Sequence, residues 1–551
     1  MDNAQAPENP QDITAKAADA AASLLPLDML DVATRLADPA AVARNVPWLA
    51  DEMARIALGR SDLWFDERDM RFADKAWQAY PFRVLGQLYR LYEMWMDRMC
   101  QSVNGTWQRQ ARARFLASLV TAAASPANYL PTNPVALRRA AETDGLSLLH
   151  GAQNLARDLA RGGMPRAADR ERFPIGQKIA ATPGAVVYRE EMFELLQYAP
   201  TTDRVRAVPL VMVPPQVNRY YILDLAPGRS VVEFAIAQGI RTFMMVWRNP
   251  QASLGHGRWG VDDYVAAQER AAEVVRAITR SDTLSWLGLC AGGMTVAWML
   301  AHLAAAGADP AASATFIVTM LSGDQPNVVG MADTRQARAG LELAARAGQV
   351  IPGTALRTLF ALLRPNDLVY NYLVNGWLMG EPPPPFDVLA WNDDATAVPA
   401  RFALESTRIV MDGLDGAKRP TLLGTPVDCG AVNCDSFHVA GYTDHITPWR
   451  ACYSTTQLLG GEKELTVVKS GHIQSFVNPE DKPRYDCWYG SPAAPGPDEW
   501  LVGATFQHGS WWRRWADWLI ARSGNEQQAR TALGNRRYPP LGPAPGSYAT
   551  Q

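Results

Sequence analysis

The run Gly288-Leu-Cys290-Ala-Gly292-Gly places a thiol midway between two glycines. The apolar stretch from Thr283 to Leu289 precedes it and a helical stretch from Met294 to Ala306 follows, so the pattern is strand, Gly-x-Cys-x-Gly, helix. This is a nucleophile elbow with cysteine in place of serine. On so sharp a turn, side chains two residues either side of the nucleophile would collide with the adjoining strand and helix, so glycine stands there. The helix N-terminus, with its dipole and free N–H groups, favours the thiolate, which is the reactive form. The N–H of Ala291 would supply one half of an oxyanion hole. With 41 Gly and 6 Cys in the chain, such a match arises by chance roughly 0.03 times. The alternative is a buried cysteine in an ordinary tight turn.

A cysteine nucleophile needs a base, and the base an orienting acid. Of seven histidines, His472 follows the apolar run Leu465-Thr-Val-Val-Lys, where the base of such a site is expected. Asp444 follows the preceding run, Ser436-Phe-His-Val-Ala-Gly, where the acid is expected. The order Cys290, Asp444, His472 is the nucleophile, acid, base order of α/β-hydrolases. The second oxyanion donor should come from the loop after an early strand, here Val213-Pro-Pro-Gln-Val-Asn-Arg, with Val217 and Asn218 as candidates. His445, beside Asp444, either lines the site or caps its loop. Cys429, Cys434 and His438 have no fourth ligand at normal spacing, so no metal is expected. His302 reads as a packed core histidine, and Trp511, Trp512, Trp515 and Trp518 have the helical spacing of a core or interface face. The glycines from 288 to 293 lack the spacing of a dinucleotide loop.

Elements that could position these groups follow from the rhythm of the chain. At 551 residues it exceeds one ordinary core. Residues 1–190 read as a mainly helical N-terminal domain, with Leu, Tyr and Trp at three- and four-residue spacing after Phe82. Residues 191–551 read as the catalytic domain, in which short runs apolar on both faces alternate with helices and imply a parallel sheet. Those runs begin at Pro209, Arg241, Thr283, Thr315, Ser436 and Leu465. The alternation stops between about 322 and 430, where Arg364-Pro-Asn-Asp and the prolines 382 to 385 suggest an inserted cap, a lid over the carboxyl ends of the strands. The fold class is thus α/β, an α/β-hydrolase fold with a cap insertion.

Composition narrows the partners. With 48% hydrophobic and 20% charged residues and a net charge of −3, nucleic acid is a poor partner. The first 23 residues lack the basic and apolar regions of a secretory signal, and no run of about 18 apolar residues appears, so a cytoplasmic chain with no membrane span is expected. Six dispersed cysteines do not make a disulfide framework.

At these motifs the chain resembles the polyhydroxyalkanoate synthases. The likeness runs from about Phe72 to the tail and includes Ser125-Pro-Ala-Asn-Tyr-Leu-Pro-Thr-Asn-Pro, Val246-Trp-Arg-Asn-Pro, Gly288-Leu-Cys-Ala-Gly-Gly, Asp444-His-Ile-Thr-Pro-Trp and Ser470-Gly-His-Ile-Gln-Ser. The resemblance implies polymerisation of (R)-3-hydroxyacyl-CoA into a growing polyester chain with release of coenzyme A and no other cofactor. It implies Cys290 as nucleophile, His472 as base and Asp444 as carboxylate. It also implies a homodimer on the surface of cytoplasmic polyester granules. Length and the N-terminal domain resemble the long single-polypeptide synthases, closest to the class that favours medium-length side chains. Gln216 departs from the small residue more usual at its position and bears on substrate preference. Two rivals stand beside this reading: a thioesterase or esterase using the same triad with water as acceptor, and a non-catalytic granule-associated protein.

Overall fold

The computed structural model describes residues 38–67, 69–162, 164–308, 311–413 and 419–551. The first 23 residues, read for a secretory signal, lie outside the described residues, as does the rest of the chain up to 37. The chain divides into two compact units. One holds the chain up to Asp169 with residues 334–337 and 355–386, and the other holds residues 170–333, 338–354 and 387–551.

The first unit is helical, with α1 (Pro39–Ala57), α2 (Phe82–Gln101), α3 (Trp107–Ala123), α4 (Pro134–Glu142) and α5 (Leu146–Leu159). Asp38 and Asn133 start α1 and α4 by accepting hydrogen bonds from the first free amides, each followed by the proline that suits the first helical position. Phe65, Phe72, Trp77 and Tyr89 form its aromatic core, with Phe65 stacked on Phe72 at 3.7 Å between ring centroids. The inserted residues 355–386 pack within this unit. Trp377 Nε1 donates to Asp158 Oδ2 at 2.8 Å. A Cβ on Gly151 would stand 2.0 Å from the Trp377 carbonyl oxygen, so glycine is required for that approach. Of the residues read as a cap, 355–386 group with this unit and 338–354 and 387–430 with the other. The helical unit also ends at Asp169 rather than 190, because the segment just before 190 is already strand.

The second unit is built on an eleven-stranded sheet. In chain order its strands are β1 (Gly184–Arg189), β2 (Phe193–Tyr198), β3 (Leu210–Val213), β4 (Thr242–Trp247), β5 (Ser285–Leu289), β6 (Ser313–Ile317), β7 (Ser436–Gly441), β8 (Lys463–Val468), β9 (Cys487–Gly490), β10 (Thr505–Gln507) and β11 (Gly542–Pro543). Across the sheet they run β10-β9-β8-β7-β6-β5-β3-β4-β2-β1-β11. The six apolar runs of the sequence are its six central strands, β4 to β8 in that row, and all pair in parallel. The five flanking strands pair antiparallel. From β3 the chain steps outward to β4, then crosses back to β5 on the other side of β3. That reversal opens a crevice at the carboxyl ends of β3 and β5, where open α/β sheets bind ligands.

Helix α6 (Ala291–Ala305) follows β5, and α7 (Trp512–Ile520) lies late in the chain. Trp511, Trp512 and Trp515 are fully buried, as their spacing suggests, while Trp518 is half-buried. Trp511 Nε1 donates to the Ser475 carbonyl at 2.8 Å and Trp512 Nε1 to that of Phe476 at 2.9 Å, so the pair ties down the loop that begins at His472. Among the described residues no helix is long and apolar enough to cross a membrane. Trp511→Phe leaves the Ser475 carbonyl without its buried donor and opens a small void. Urea denaturation is expected to show a loss of about 1–3 kcal/mol, and an unchanged midpoint would contradict the clamp.

Candidate active site

Cys290 sits between the last residue of β5 and the first of α6 with φ 51° and ψ −119°. A non-glycine residue holds that conformation only when its surroundings over-determine it. They do so here. The Cys290 N–H donates to the Ile317 carbonyl at the end of β6, at 2.8 Å. A Cβ on Gly292 would lie 2.4 Å from the carbonyl oxygens of both Val213 and Pro214, and one on Gly288 would lie 2.4 Å from Gly293 Cα. Backbone packs directly on backbone, which confirms the steric reading of both glycines. Gly293 adds a constraint the motif did not announce, since its Cβ would overlap Thr319.

The structure brings Asp444 and His472 together with Cys290. Asp444 is in the turn after β7, and its side chain is fully buried. Its Oδ1 accepts from the amides of Ile446 and Thr447 at 2.8 and 3.1 Å. Its Oδ2 accepts from Thr447 Oγ1 at 2.9 Å and lies 2.6 Å from His472 Nδ1. His472, in the loop after β8, lies near enough to Cys290 for the thiol to favour a proton on its ring. Burial alone would lower the imidazole pKa, but the charge and hydrogen bond of Asp444, together with Cys290, push it up to about 10. Burial alone would raise Asp444, but His472 and the two amides hold its carboxyl below the usual range. The pair therefore favours a proton on the imidazole, and an imidazole of raised basicity beside a thiol is suited to take that thiol's proton.

The loop after β3 carries the two oxyanion candidates, and the structure separates them. The Asn218 amide donates to Thr396 Oγ1 at 2.8 Å, so it is already engaged, and Asn218 holds a positive φ of 72°. Among the described residues the amides of Val217 and Ala291 have no protein acceptor. Residues returning from the insertion buttress this loop. Trp391 Nε1 donates to the Arg219 carbonyl at 2.8 Å, and Asp394 accepts from Tyr221 Oη at 2.6 Å and pairs with Arg219 Nε at 3.2 Å. Gln216 is buried, its Nε2 donating to Thr295 Oγ1 at 3.1 Å.

Other sequence candidates resolve individually. His445 is half-buried beside Asp444. His438 is buried in mid-strand, 2.9 Å from Ser436 Oγ and stacked on Phe316, and burial with nearby Lys463 drives its pKa down to about 3. His302 is half-buried rather than a core residue, because its Nδ1 reaches Glu269 at 2.7 Å near the edge of the packed layer. Thr447 was missed. Its place three residues after Asp444 carries the signal, the spacing at which a hydroxyl folds back on a carboxylate in a turn. Trp391, Asp394 and Thr396 gave none, lying more than 170 residues from the groups they hold.

A sheet with six parallel central strands, carrying the nucleophile elbow, acid and base on the loops after β5, β7 and β8 at its carboxyl edge, defines the α/β-hydrolase class, and the α/β-hydrolase fold family matches residues 229–479. A second family, described as the poly-beta-hydroxybutyrate polymerase (PhaC) N-terminus, matches residues 68–235. Poly(3-hydroxyalkanoate) polymerase 1 of Ectopseudomonas oleovorans is 38% identical over 512 residues, covering 92% of this chain and 90% of that protein. Poly(3-hydroxyalkanoate) polymerase 2 of the same organism is 38% identical, covering 93% and 92%. The poly(3-hydroxyalkanoate) polymerase subunit PhaC of Cupriavidus necator is 39% identical, covering 90% and 85%. The chain belongs to the poly(3-hydroxyalkanoate) polymerase family.

The two titrations set a pH window for stability. Asp444 is depressed from 3.8, so its contribution is present above that value and lost as pH falls through the lower folded pKa. His472 is raised from 6.5, so its contribution is full below 6.5 and lost as pH rises towards about 10. The melting-temperature gap between wild type and Asp444→Asn is therefore expected to be widest near about pH 5.5 and to narrow steadily towards about pH 10. A gap that is flat or grows with pH would contradict the coupling.

Proposed function

We propose that this protein polymerises (R)-3-hydroxyacyl-CoA into polyester, carrying the acyl chain as a thioester on Cys290. The observation that supports it best is the relay from buried Asp444 through His472, at 2.6 Å, to a thiol on a strained elbow, in a chain of this family. His472 takes the Cys290 proton, and the thiolate attacks the substrate thioester carbonyl. The oxyanion is received by the Ala291 N–H and, of the two loop candidates, by that of Val217. The intermediate collapses, the new thioester forms on Cys290, and coenzyme A leaves with the proton returned by His472. The 3-hydroxyl of a further acyl-CoA then gives its proton to His472, or to Asp444 acting more directly, and its oxygen attacks the acyl-enzyme: the ester forms as the Cys290 thioester breaks, the thiolate takes back the proton, and the elongated acyl-CoA reacylates Cys290 with loss of coenzyme A. A thioester suits repeated transfer because the acyl group stays activated at every step.

The reaction needs no cofactor beyond the coenzyme A of the substrate. By the family likeness the protein works as a homodimer on the surface of cytoplasmic polyester granules and takes units with medium-length side chains. Purified protein supplied separately with 3-hydroxybutyryl-CoA and 3-hydroxyoctanoyl-CoA tests both reaction and preference. Coenzyme A release accompanied by polymer, faster with the eight-carbon unit, is expected. Release with only free acid would identify a thioesterase instead. Cys290→Ala is expected to lower turnover by ~10³-fold or more, and unaltered activity would remove the thiol from the mechanism.

A further inference from the structure

Arg241 immediately precedes β4, whereas Cys290 immediately follows β5. Because β4, β3 and β5 are parallel neighbours, these residues lie at opposite edges of the sheet, roughly 15–20 Å apart for strands of this length. At the Arg241 edge is a pocket of about 70 Å³ lined by Val205, Ile240, Arg241, Thr242, Gln527 and Arg530.

Its charge is unbalanced. The Arg241 guanidinium donates through Nε to the Arg206 carbonyl at 3.1 Å, through Nη2 to that of Ala207, and through Nη1 and Nη2 to the Gln527 side-chain oxygen at 3.1 and 3.0 Å, all neutral acceptors. Among the described residues neither Arg241 nor Arg530 has an ion-pair partner. Just outside, Arg204 and Arg206 share one carboxylate, Glu526, each at 3.1 Å. Among the described residues these four arginines thus have a single ion-paired carboxylate between them, Glu526. Burial and the nearby charge of Arg530 lower the Arg241 pKa to about 10, the direction expected of a cation that lacks an anion.

We infer that this pocket binds a phosphoryl group through Arg241 and Arg530. Guanidinium forks match tetrahedral oxyanions in geometry as well as charge. The volume accommodates one phosphate. A larger phosphorylated molecule would place only its phosphoryl group inside and extend past Arg530, which is exposed. The short strand Glu526–Gln528, paired with Arg204–Arg206, forms one wall. Occupancy would bind this late segment to the sheet without involving the polymerising site.

Thermal unfolding of the full chain, with inorganic phosphate or coenzyme A replacing chloride at matched ionic strength, tests the inference. Arg530→Gln is the principal variant, because an exposed side chain can be changed without loss of fold; Arg241→Gln is the second. A rise of about 2 °C or more with phosphate that disappears in Arg530→Gln supports a free-phosphate site. A rise with coenzyme A alone that disappears in Arg530→Gln supports a site for the phosphoryl group of a larger ligand. No rise with either, or a rise equally large in Arg530→Gln, overturns the inference. Basal polymerisation is expected to be unchanged in Arg530→Gln.

Discussion

The approach of Gly292 to the carbonyls of Val213 and Pro214 is the constraint from which the candidate site grows. It lets the start of α6 sit against the end of β3, and so brings two separate backbone segments, each with an amide lacking a protein acceptor, into one crevice. Any side chain there would push them apart. The strained conformation of Cys290, a cost of about 1–3 kcal/mol, is held by the hydrogen bond from its N–H to the Ile317 carbonyl of β6 and by the same close packing. Strain and close approach together aim the thiol outward from the sheet edge.

Two polar shells then fix the groups around it. On one side Asp444 is saturated by two amides, a hydroxyl and the imidazole, so its position and charge are both determined before substrate arrives. On the other, Trp391, Asp394 and Thr396 hold the loop after β3 from behind. The same support gives a role to Tyr221 and Asp224, in the run from Tyr220 to Leu225. Tyr221 anchors on Asp394, and Asp224 accepts hydrogen bonds from Thr182 and Ser230 at 2.5 and 2.7 Å. Both residues support the loop from within the core.

Much of this was legible in the sequence because it is local. The six central strands announced themselves as runs apolar on both faces, and the elbow as a five-residue pattern whose glycines have steric work to do. Asp444 and His472 could be named because topology demands an acid and a base after particular strands. The flanking antiparallel strands were not legible, being short or only partly apolar. The packing of the insertion was not legible for a different reason. Residues 355–386 interrupt the strand alternation as a cap would, yet what they pack on is decided by Gly151, Asp158 and Trp377, contacts across more than 200 residues that no periodicity reveals. The choice of Val217 over Asn218 likewise depended on a hydroxyl at Thr396, far along the chain.

The central claim is that Cys290 carries the growing acyl chain. Intact-protein and peptide mass spectrometry of enzyme quenched in acid during turnover with 3-hydroxyacyl-CoA tests it most directly. The account predicts a hydroxyacyl adduct, labile to hydroxylamine, on the peptide containing Cys290 and absent from Cys290→Ala. Turnover with no adduct at Cys290, or with the acyl group on another residue, would contradict it.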